Sequence, residues 1–477
     1  MHRYLLIALV LVAGCKVGPD YRKPDYSSPK AFSTTSRADA VQNDSSVNLS
    51  EWWTVFNDPQ LTALIQTAAG TNLDVRIATA RVREARAQRG ISSSGFYPQL
   101  TASGDYSRSQ ISKHSQNGKQ LAAQGQHLQN NLFEAGLDMS WELDVFGGTQ
   151  RAVEASDAHV GATVESMHDI MVTVLAEVGL SYLDLRGAQK QLLVAHENLR
   201  IQEDTLALTQ DRFHSGLAGE LDVARATSEV ATTRAQIPPL EEARQRAIYR
   251  LDVLLAKNPG ELDSQLGVAT NLPSTSPRVP LGLPSDLVRQ RPDIRQAERQ
   301  LAEANAQIGV ATSELFPKFY LTGNAGLQSL DASDFFAAGS RYWSIGPSIR
   351  WPIFTAGKIR QNIQVQNARQ EQAALAYEQV VLKSLEEVQN ALVSFGQEQQ
   401  RRGALQDAQA ASERSFKLAQ DRYRAGLVDF LDVLETQRSL LANQDAEVRS
   451  ERELSQNLIR LFKSLGGGWK QPQLASR

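Results

Sequence analysis

The sequence has a single cysteine, Cys15, so no intramolecular disulfide can form. It also lacks an excess of basic residues. The 50 Lys and Arg stand against 53 Asp and Glu for a net charge of -3, which excludes the strongly basic surface typical of a nucleic-acid-binding protein. Aromatic residues make up only 7% of the chain, which favours Ala- and Gln-rich helices over a dense globular core. After residue 15 no run of 18 apolar residues occurs, so any segment that crosses a membrane must be β.

The motifs of common enzymes are missing as well. The seven histidines show neither HExxH nor another metal-ligand spacing, and no P-loop or GxGxxG opens a βαβ unit. The serines of residues 90–95 do not fit the GxSxG frame of a hydrolase, and they lie at a predicted helix end. We therefore predict a protein that is not an enzyme, holds no metal or cofactor, and depends on another component for energy.

The first residues form a targeting segment. A short basic start and an apolar run to Val12 are followed by small residues and then by Cys15. This arrangement resembles a lipobox, in which residues 1–14 are cleaved and the cysteine carries the lipid; the alternative is an ordinary signal peptide with a chance cysteine. We predict that Cys15 is lipidated, and Lys16 in the next position favours sorting to the outer membrane.

The chain is internally duplicated. Residues 72–98 and 291–317 align without gaps at an offset of 219 and share ten of 27 positions. Residues 210–223 and 420–433 align at an offset of 210 and share eight of 14 positions, in the same order in both halves. This period is far too long for a solenoid repeat, so we predict a tandem duplication of one large unit.

Each half contains a pair of β-segments. Apolar and other residues alternate from Phe133 to Val145 and again from Trp343 to Ile353. This is the period of a strand, and weaker alternating segments precede both runs. We therefore predict two β-hairpins, at about 97–146 and about 318–354.

A very long helix follows each hairpin, beginning at Gly148 and at Gly357. No proline interrupts either stretch, and the apolar residues recur at spacings of three and four. At 1.5 Å per residue each helix would be roughly 100 Å long. Each ends at a Gly-Leu turn, at residues 216 and 426, from which a helix returns. We expect the first return helix to be broken at Pro238 and Pro239.

These elements give a domain map. A helix at about 61–93 opens the first repeat, and its counterpart at about 284–314 opens the second. The predicted segments are a signal peptide (1–14), a lipidated N-terminal segment (15–58), the first repeat (59–256), a Pro-rich connector (257–283), the second repeat (284–465) and a C-terminal tail (466–477).

Four strands of this length can each cross a bilayer when tilted, but four cannot close a barrel, since about eight are needed. Open strand edges are not tolerated in lipid, so several copies must share one barrel. The alternative is a soluble sheet with one solvated face. The barrel predicts two sets of side chains: a lipid-facing set of Phe133, Leu137, Trp141, Val145, Trp343, Ile349 and Trp351, and an anionic lumen-facing set of Glu134, Asp138, Glu142 and Asp144.

Several dispersed motifs, in order, resemble the TolC/OprM family of outer-membrane efflux proteins, in its lipoprotein branch. They are CKVGPDY at 15–21, WW…FNDPQL at 52–61, RPDIR at 291–295 and the two Gly-Leu turns. The resemblance covers nearly the whole mature chain. It implies an α+β membrane protein that forms a homotrimer, with a twelve-stranded β-barrel, a twelve-helix periplasmic α-barrel and a mixed equatorial domain.

The resemblance also implies a function and partners. The trimer would be the outer-membrane channel of a tripartite system, opened by a periplasmic adaptor protein and a proton-driven inner-membrane pump, and it would export small molecules passively. Two alternatives stay open: a type I secretion duct, which favours proteins without a lipid anchor, and a periplasmic coiled-coil scaffold lipoprotein without a pore.

The family's functional positions carry over to the helical tips. The resemblance implies adaptor docking at both turns, through Arg212, Gly216, Leu217, Arg422, Gly426 and Leu427. By family position, Leu431, Asp432 and Glu435 would form a closed periplasmic gate, because threefold symmetry turns each residue into a ring of three. Asp222 and Tyr423 match positions that link the tip helices in the closed state. The alternative for the gate residues is a solvated helix face.

Overall fold

The computed structural model describes residues 16–24, 42–43, 48–273, 278–279, 286 and 290–469. The predicted signal peptide and Cys15 lie outside the described residues. The chain forms two compact units, and each takes segments from both halves of the sequence. The sheet unit comprises Arg83–Ala162 and Ala297–Tyr377 with the described part of Met1–Pro24, and the helical unit comprises Asp25–Val82, Thr163–Gln296 and Glu378–Arg477.

The sheet unit is built on four antiparallel strands in the order β1-β2-β3-β4. Both predicted hairpins are therefore present, and the second strand of one pairs with the first strand of the other. The strands are β1 (Gln99–Gln110), β2 (Gln129–Leu143), β3 (Lys318–Ser329) and β4 (Arg341–Arg350). An eight-residue helix, Gln116–Ala123, lies in the first hairpin loop. We call the end of the sheet that carries this loop the loop end and the opposite end, where the strands join helices, the helix end.

Seven helices of more than ten residues make up most of the rest of the described chain. They are α1 (Pro59–Thr71), α2 (Leu73–Ser94), α3 (Gly148–His214), α4 (Glu220–Leu254), α5 (Pro292–Ser313), α6 (Lys358–Arg424) and α7 (Phe430–Ser464). The predicted long helices α3 and α6 are both 67 residues long, and the return helices α4 and α7 are both 35. The duplication therefore preserves helix length as well as sequence. A two-residue parallel strand pair joins Gln42–Asn43 to Arg278–Val279.

The first return helix corrects the sequence prediction. It continues through Pro238 and Pro239 without a break. A proline inside a helix removes a backbone hydrogen bond and costs roughly 3 kcal/mol. One face of α4 is buried on both sides of the prolines, and this packing offsets the cost; the buried residues include Val230, Ile237, Ile248 and Leu251.

The predicted helix at about 61–93 is also corrected, because it is two helices. Asn72 separates them and leaves the helical conformation. Its side chain accepts hydrogen bonds from the backbone N–H groups of Asp74 and Val75, which caps α2, and donates one to the Leu254 carbonyl at 2.8 Å. The buried amide thus ends one helix, starts the next and ties both to α4.

The core of the helical unit is assembled around the WW…FNDP motif. Trp52 is fully buried and stacks on Phe462 with ring centroids 5.9 Å apart. Asp58 caps α1 through the backbone N–H groups that follow it and also accepts the Tyr182 hydroxyl at 2.8 Å. Burial raises the pKa of Tyr182 to about 12. This motif therefore has a structural role: it fixes the start of α1 against α3 and α7.

Asp169 gives a stability prediction in the same unit. Burial, and next the neighbouring Asp293 carboxylate, raise the pKa of Asp169. A carboxyl group whose pKa is raised on folding penalises the folded state above that pKa, and the penalty disappears as the pH falls toward the unfolded value. We expect Asp169→Asn to raise the apparent melting temperature in detergent at pH 7, and the gain to shrink at pH 4. Asp157→Asn, which removes an exposed ion pair with Arg89, is the control and should give no gain. A lower melting temperature for Asp169→Asn at pH 7 would contradict the expectation.

Candidate functional site

One face of the sheet is apolar across all four strands. Residues paired in register lie on the same face, and in the middle of β2 the odd-numbered residues Ala135, Leu137 and Met139 are flanked on both sides by apolar residues or glycine. The face includes Leu100, Tyr106, Phe133, Leu137, Trp141, Leu321, Leu327, Trp343, Ile345 and Ile349. Several of these side chains are exposed in the single chain; Trp343 is 77% exposed and Ile349 is 67% exposed. An apolar face this large is not stable in water, which points to a lipid or protein surface that covers it.

Aromatic residues lie at both ends of this apolar face. At the loop end Tyr106 packs on Phe133 at 4.8 Å, and Trp343 lies two residues from the start of β4. At the helix end lie Trp141 and, just beyond β4, Trp351. Rings at two levels separated by an apolar band are the pattern of a membrane-spanning sheet. The predicted lipid-facing set thus lies on one face, except that Val145 and Trp351 lie past the strand ends.

The opposite face is polar and carries three of the four predicted acids. Glu134 accepts the Tyr342 hydroxyl at 2.9 Å, and Asp138 accepts the Ser103 hydroxyl at 3.3 Å. Glu142 lies 3.7 Å from the Lys318 ammonium. Of these three acids only Glu142 has its charge offset by a cation, because the hydroxyl partners of Glu134 and Asp138 are neutral.

The fourth acid, Asp144, was predicted to face the lumen, but the structure places it at the start of a helix. It follows the last residue of β2, and its carboxylate accepts the backbone N–H groups of Thr149 and Gln150 at 3.0 and 2.7 Å. The first N–H groups of a helix have no acceptor within it and attract a carboxylate. Asp144 therefore anchors the start of α3 and does not belong to the polar face of the sheet.

The duplication extends to single hydrogen bonds at the helix end. The Trp141 indole N–H donates to the Phe96 carbonyl at 3.0 Å, and the Trp351 indole N–H donates to the Leu315 carbonyl at 3.1 Å. Trp141 and Trp351 are 210 residues apart, and the two carbonyls are 219 apart, which are the two offsets of the repeat. Each tryptophan thus ties its strand to the turn that precedes the first strand of its hairpin.

The two helical tips share one backbone design. In the first, the Leu217 N–H bonds the Arg212 carbonyl at 2.7 Å and the Gly216 N–H bonds the Phe213 carbonyl at 2.9 Å. The second tip repeats this pattern from residue 422 to residue 427. Gly216 has a φ of 73° and Gly426 a φ of 74°, as the terminating glycine of this motif requires. Leu217 and Leu427 project from the turns and are 68% and 74% exposed.

The side chains break the symmetry of the tips. The Arg212 guanidinium lies 4.6 Å from the centre of the Tyr423 ring and donates to the Tyr423 carbonyl at 3.0 Å. It thereby binds the last carbonyl groups of α6, whose helix dipole favours a cation there. Its repeat counterpart, Arg422, is exposed, and its side chain has no recorded hydrogen bond or ion pair within the described residues. We call the contact of Arg212 with Tyr423 the tip latch.

The three predicted gate residues lie on one face of α7. Leu431, Asp432 and Glu435 are exposed, while Val433 and Leu434 between them are buried in the tip core. Within the described part of the chain the Asp432 carboxylate makes no recorded side-chain hydrogen bond or ion pair. The three predicted gate residues therefore lie together on the exposed side of α7.

The structure does not join Asp222 to Tyr423. The Asp222 carboxylate accepts the Gly219 N–H at 3.4 Å and lies 3.8 Å from Arg225, so it serves its own helix start. The Tyr423 hydroxyl is buried and has no hydrogen-bond partner in the described chain. Its ring, however, packs on Phe430 and on Arg212. The tips are joined by Arg212, which the family resemblance places only on the docking surface.

No group of three His, Cys, Asp or Glu among the described residues could hold a metal ion. The described helices include none that is both long and apolar enough to cross a membrane.

Comparison with known proteins identifies the family. The sequence profile described as "Outer membrane efflux protein" matches residues 64–257 and 283–467. The cation efflux system protein CusC of Escherichia coli K12 is 32% identical over 462 residues, which cover 97% of this chain and 98% of CusC. The pyoverdine export outer membrane protein OpmQ of Pseudomonas aeruginosa is 33% identical over 471 residues, covering 98% of this chain and 96% of OpmQ. The solved structure of the outer-membrane channel OprN superposes with a TM-score of 0.87 at 37% identity, over 95% of this chain and 100% of OprN. The predicted resemblance is confirmed: the chain belongs to the outer membrane efflux protein family.

Proposed function

We propose that three copies of this outer-membrane efflux protein assemble one channel, to which each copy contributes four strands of a twelve-stranded barrel. The exposed apolar face of the sheet carries the proposal, because lipid would cover it. Within the described chain, β1 and β4 are each paired on one side only. Such edges would be left open in lipid, and pairing β1 of one copy with β4 of the next closes them. A scaffold without a pore would have no use for this face.

Export through the channel would be passive, and the cargo would be small molecules. The relatives' names concern different cargoes, cations for CusC and pyoverdine for OpmQ, although both align along nearly the whole chain. We infer that one duct design serves different cargoes, and that selection lies in partner proteins. These partners would be a periplasmic adaptor, docking at the exposed tip leucines Leu217 and Leu427, and a proton-driven inner-membrane pump.

The periplasmic gate in this proposal consists of Leu431, Asp432 and Glu435. A threefold axis beside this face of α7 would bring three leucines and six carboxylates together. An apolar ring excludes water, and a ring of carboxylates repels anions and binds cations, so the constriction would restrict the passage of ions.

The proposal is tested by conductance in planar bilayers and by heat-modifiable trimers on gels. We expect the purified lipoprotein to form such trimers and to conduct ions, and a non-conducting monomer would end the channel proposal.

The gate is tested by substitution. We expect Asp432→Ala combined with Glu435→Ala to raise single-channel conductance and weaken cation preference, because the acidic side chains at the narrowest point are removed.

The matched control is Asp211→Ala with Glu220→Ala, which removes two exposed acids from the other tip. We expect this pair to leave conductance unchanged. Unchanged conductance and unchanged cation preference in the Asp432 and Glu435 variant would move the gate elsewhere.

A further inference from the structure

The first described residues form a tightly bound segment, which we call the N-terminal clasp and define as residues 16–21. It lies within the sheet unit and contacts α3 and α5. The Pro19 carbonyl accepts the side-chain amide of Asn305 at 3.0 Å, and the Tyr21 hydroxyl donates to Glu298 at 2.5 Å. The Lys16 ammonium lies 2.6 Å from Glu154. A segment near a chain terminus is usually poorly ordered unless it is tied down, and this one is tied down along its length.

Arg151 is the centre of the clasp. Its side chain is 0% exposed, yet its charge is fully engaged. Nε donates to the Val17 carbonyl at 2.9 Å, and Nη2 donates to the Gly18 carbonyl at 2.9 Å and to Asp20 at 3.0 Å. Nη1 donates to Glu154 at 2.9 Å. A buried guanidinium is stable only when its donors are satisfied, and here the clasp backbone supplies two of the acceptors.

The backbone of the clasp approaches α5 so closely that only glycines fit. Gly18 has a φ of 87°, and a Cβ atom there would lie 2.5 Å from the Gly309 Cα. A Cβ atom on Gly309 would lie 2.7 Å from the Arg151 side chain. Clasp, α5 and Arg151 are therefore packed in three layers without room for one further carbon. The site is built to bind this segment of the chain.

The N-terminal end of the clasp lies beside the helix end of the sheet. The Val17 N–H bonds the Phe146 carbonyl at 3.3 Å, just after β2 ends. The Lys16 backbone packs on Gly147, where a Cβ atom would lie 3.0 Å from the Lys16 Cα. The residue that follows Cys15 in the sequence is thus fixed at the foot of a strand.

We propose that Arg151 is a positioning residue, which holds the clasp so that the lipid on Cys15 enters the membrane beside the foot of the sheet. The inference rests on the predicted lipidation and on the proposed membrane-spanning role of the sheet. Tethering at this point keeps the anchor and the strands at the same patch of membrane, which raises the effective concentration of the strands at the bilayer.

The test is limited trypsin digestion of the full-length lipoprotein in isolated outer membranes, with cleavage after Lys16 followed by mass spectrometry. We expect this bond to be protected in the wild type, because the Lys16 side chain and the Val17 N–H are both bound. We expect Arg151→Ala to accelerate cleavage at least about tenfold, since cleavage follows the population of the open segment. Palmitate labelling of Cys15 should be unchanged, because lipid transfer does not use the folded clasp.

Arg89→Ala is the matched control. Arg89 is another arginine of the sheet unit that pairs with an acid on α3, at 2.9 Å from Asp157, but it is exposed and touches no clasp residue. Arg89→Ala should leave the cleavage rate at the wild-type value.

A second clasp variant covers the case in which Arg151→Ala yields no trimer. Asn305→Ala removes only the bond to the Pro19 carbonyl, and it should also accelerate cleavage after Lys16. Wild-type protection of the Lys16–Val17 bond in both clasp variants would overturn the proposal.

A pair of spacers tests the positioning role itself. Six Gly and Ser residues inserted directly after Cys15 separate the lipid from the clasp, whereas the same spacer after Pro24 leaves them adjacent. We expect only the first insertion to slow the appearance of heat-modifiable trimer in a pulse-chase experiment. Equal rates for both insertions would overturn the positioning role. The protease readout does not depend on conductance, so it can succeed even if the channel proposal fails.

Discussion

Ile345→Arg is expected to abolish insertion of the protein into the outer membrane, while Ser344→Arg is expected to be tolerated. Ile345 lies in the middle of β4 on the apolar face and is 63% exposed in the single chain. An arginine on the lipid face of a barrel costs about 2–4 kcal/mol near the bilayer midplane. Three copies would carry this cost three times, for roughly 6–12 kcal/mol per trimer, which is comparable with the stability of a whole domain.

Ser344 is the matched control because it is the neighbour of Ile345 on the same strand and points to the opposite face. Its register partner is Asn324, which in turn pairs with Asp138. An arginine there would lie on the polar face close to a carboxylate. The measurement is the amount of heat-modifiable trimer in the outer-membrane fraction. Normal insertion of Ile345→Arg, or equal loss for both variants, would contradict the assignment of the faces.

Arg212→Ala is expected to open the periplasmic tip. The substitution removes the cation–π contact with Tyr423 and the hydrogen bond to the end of α6. Together these contribute roughly 2–4 kcal/mol, so the open population should rise by about two orders of magnitude. The reason is mechanical: the latch fixes the turn from which α7 starts, and α7 carries Asp432. Single-channel recording should show a higher open probability, and cells should become sensitive to vancomycin.

Arg422→Ala is the control for the tip latch, since the duplication places the two arginines at equivalent positions. Arg422 is exposed, so its removal should leave gating unchanged.

Substitutions of Tyr423 distinguish the tip latch from the link between Tyr423 and Asp222 that the family resemblance implies. If the ring is what matters, Tyr423→Phe should gate normally and Tyr423→Ala should open the tip. Opening by Tyr423→Phe would instead favour a hydroxyl link to Asp222.

The strands were predicted well from sequence because their environment is simple. A strand between an apolar and a polar medium must alternate, so Phe133 and Glu134 reveal their faces without any knowledge of the pairing. The long helices were predictable for a similar reason. Their uninterrupted spacing of apolar residues and the glycines at 216 and 426 mark a helix and its end locally.

Predictions failed where a competing interaction overrode a local signal. Pro238 and Pro239 are strong helix breakers, but the buried face of α4 outweighs the lost hydrogen bonds. Asp144 continues the alternation of β2, yet the unsatisfied N–H groups at the start of α3 attract its carboxylate. For the prolines the competing interaction comes from the packing of α4, which a pattern along the chain does not contain. For Asp144 it comes from N–H groups five and six residues further along the chain, which the alternation of a strand does not take into account.

The sequence by itself determined the duplication, the four alternating strands, the paired long helices and the membership of the outer membrane efflux protein family. These features depend on periodicity and on motifs, which are properties of neighbouring residues. Only the tertiary structure decided which of two equivalent arginines forms the tip latch. It also decided that Arg151 binds Asp20 of the N-terminal clasp, although the two residues are 131 positions apart in the sequence. A long-range contact depends on what the fold brings opposite a side chain, and two residues with the same sequence neighbours can therefore have different roles.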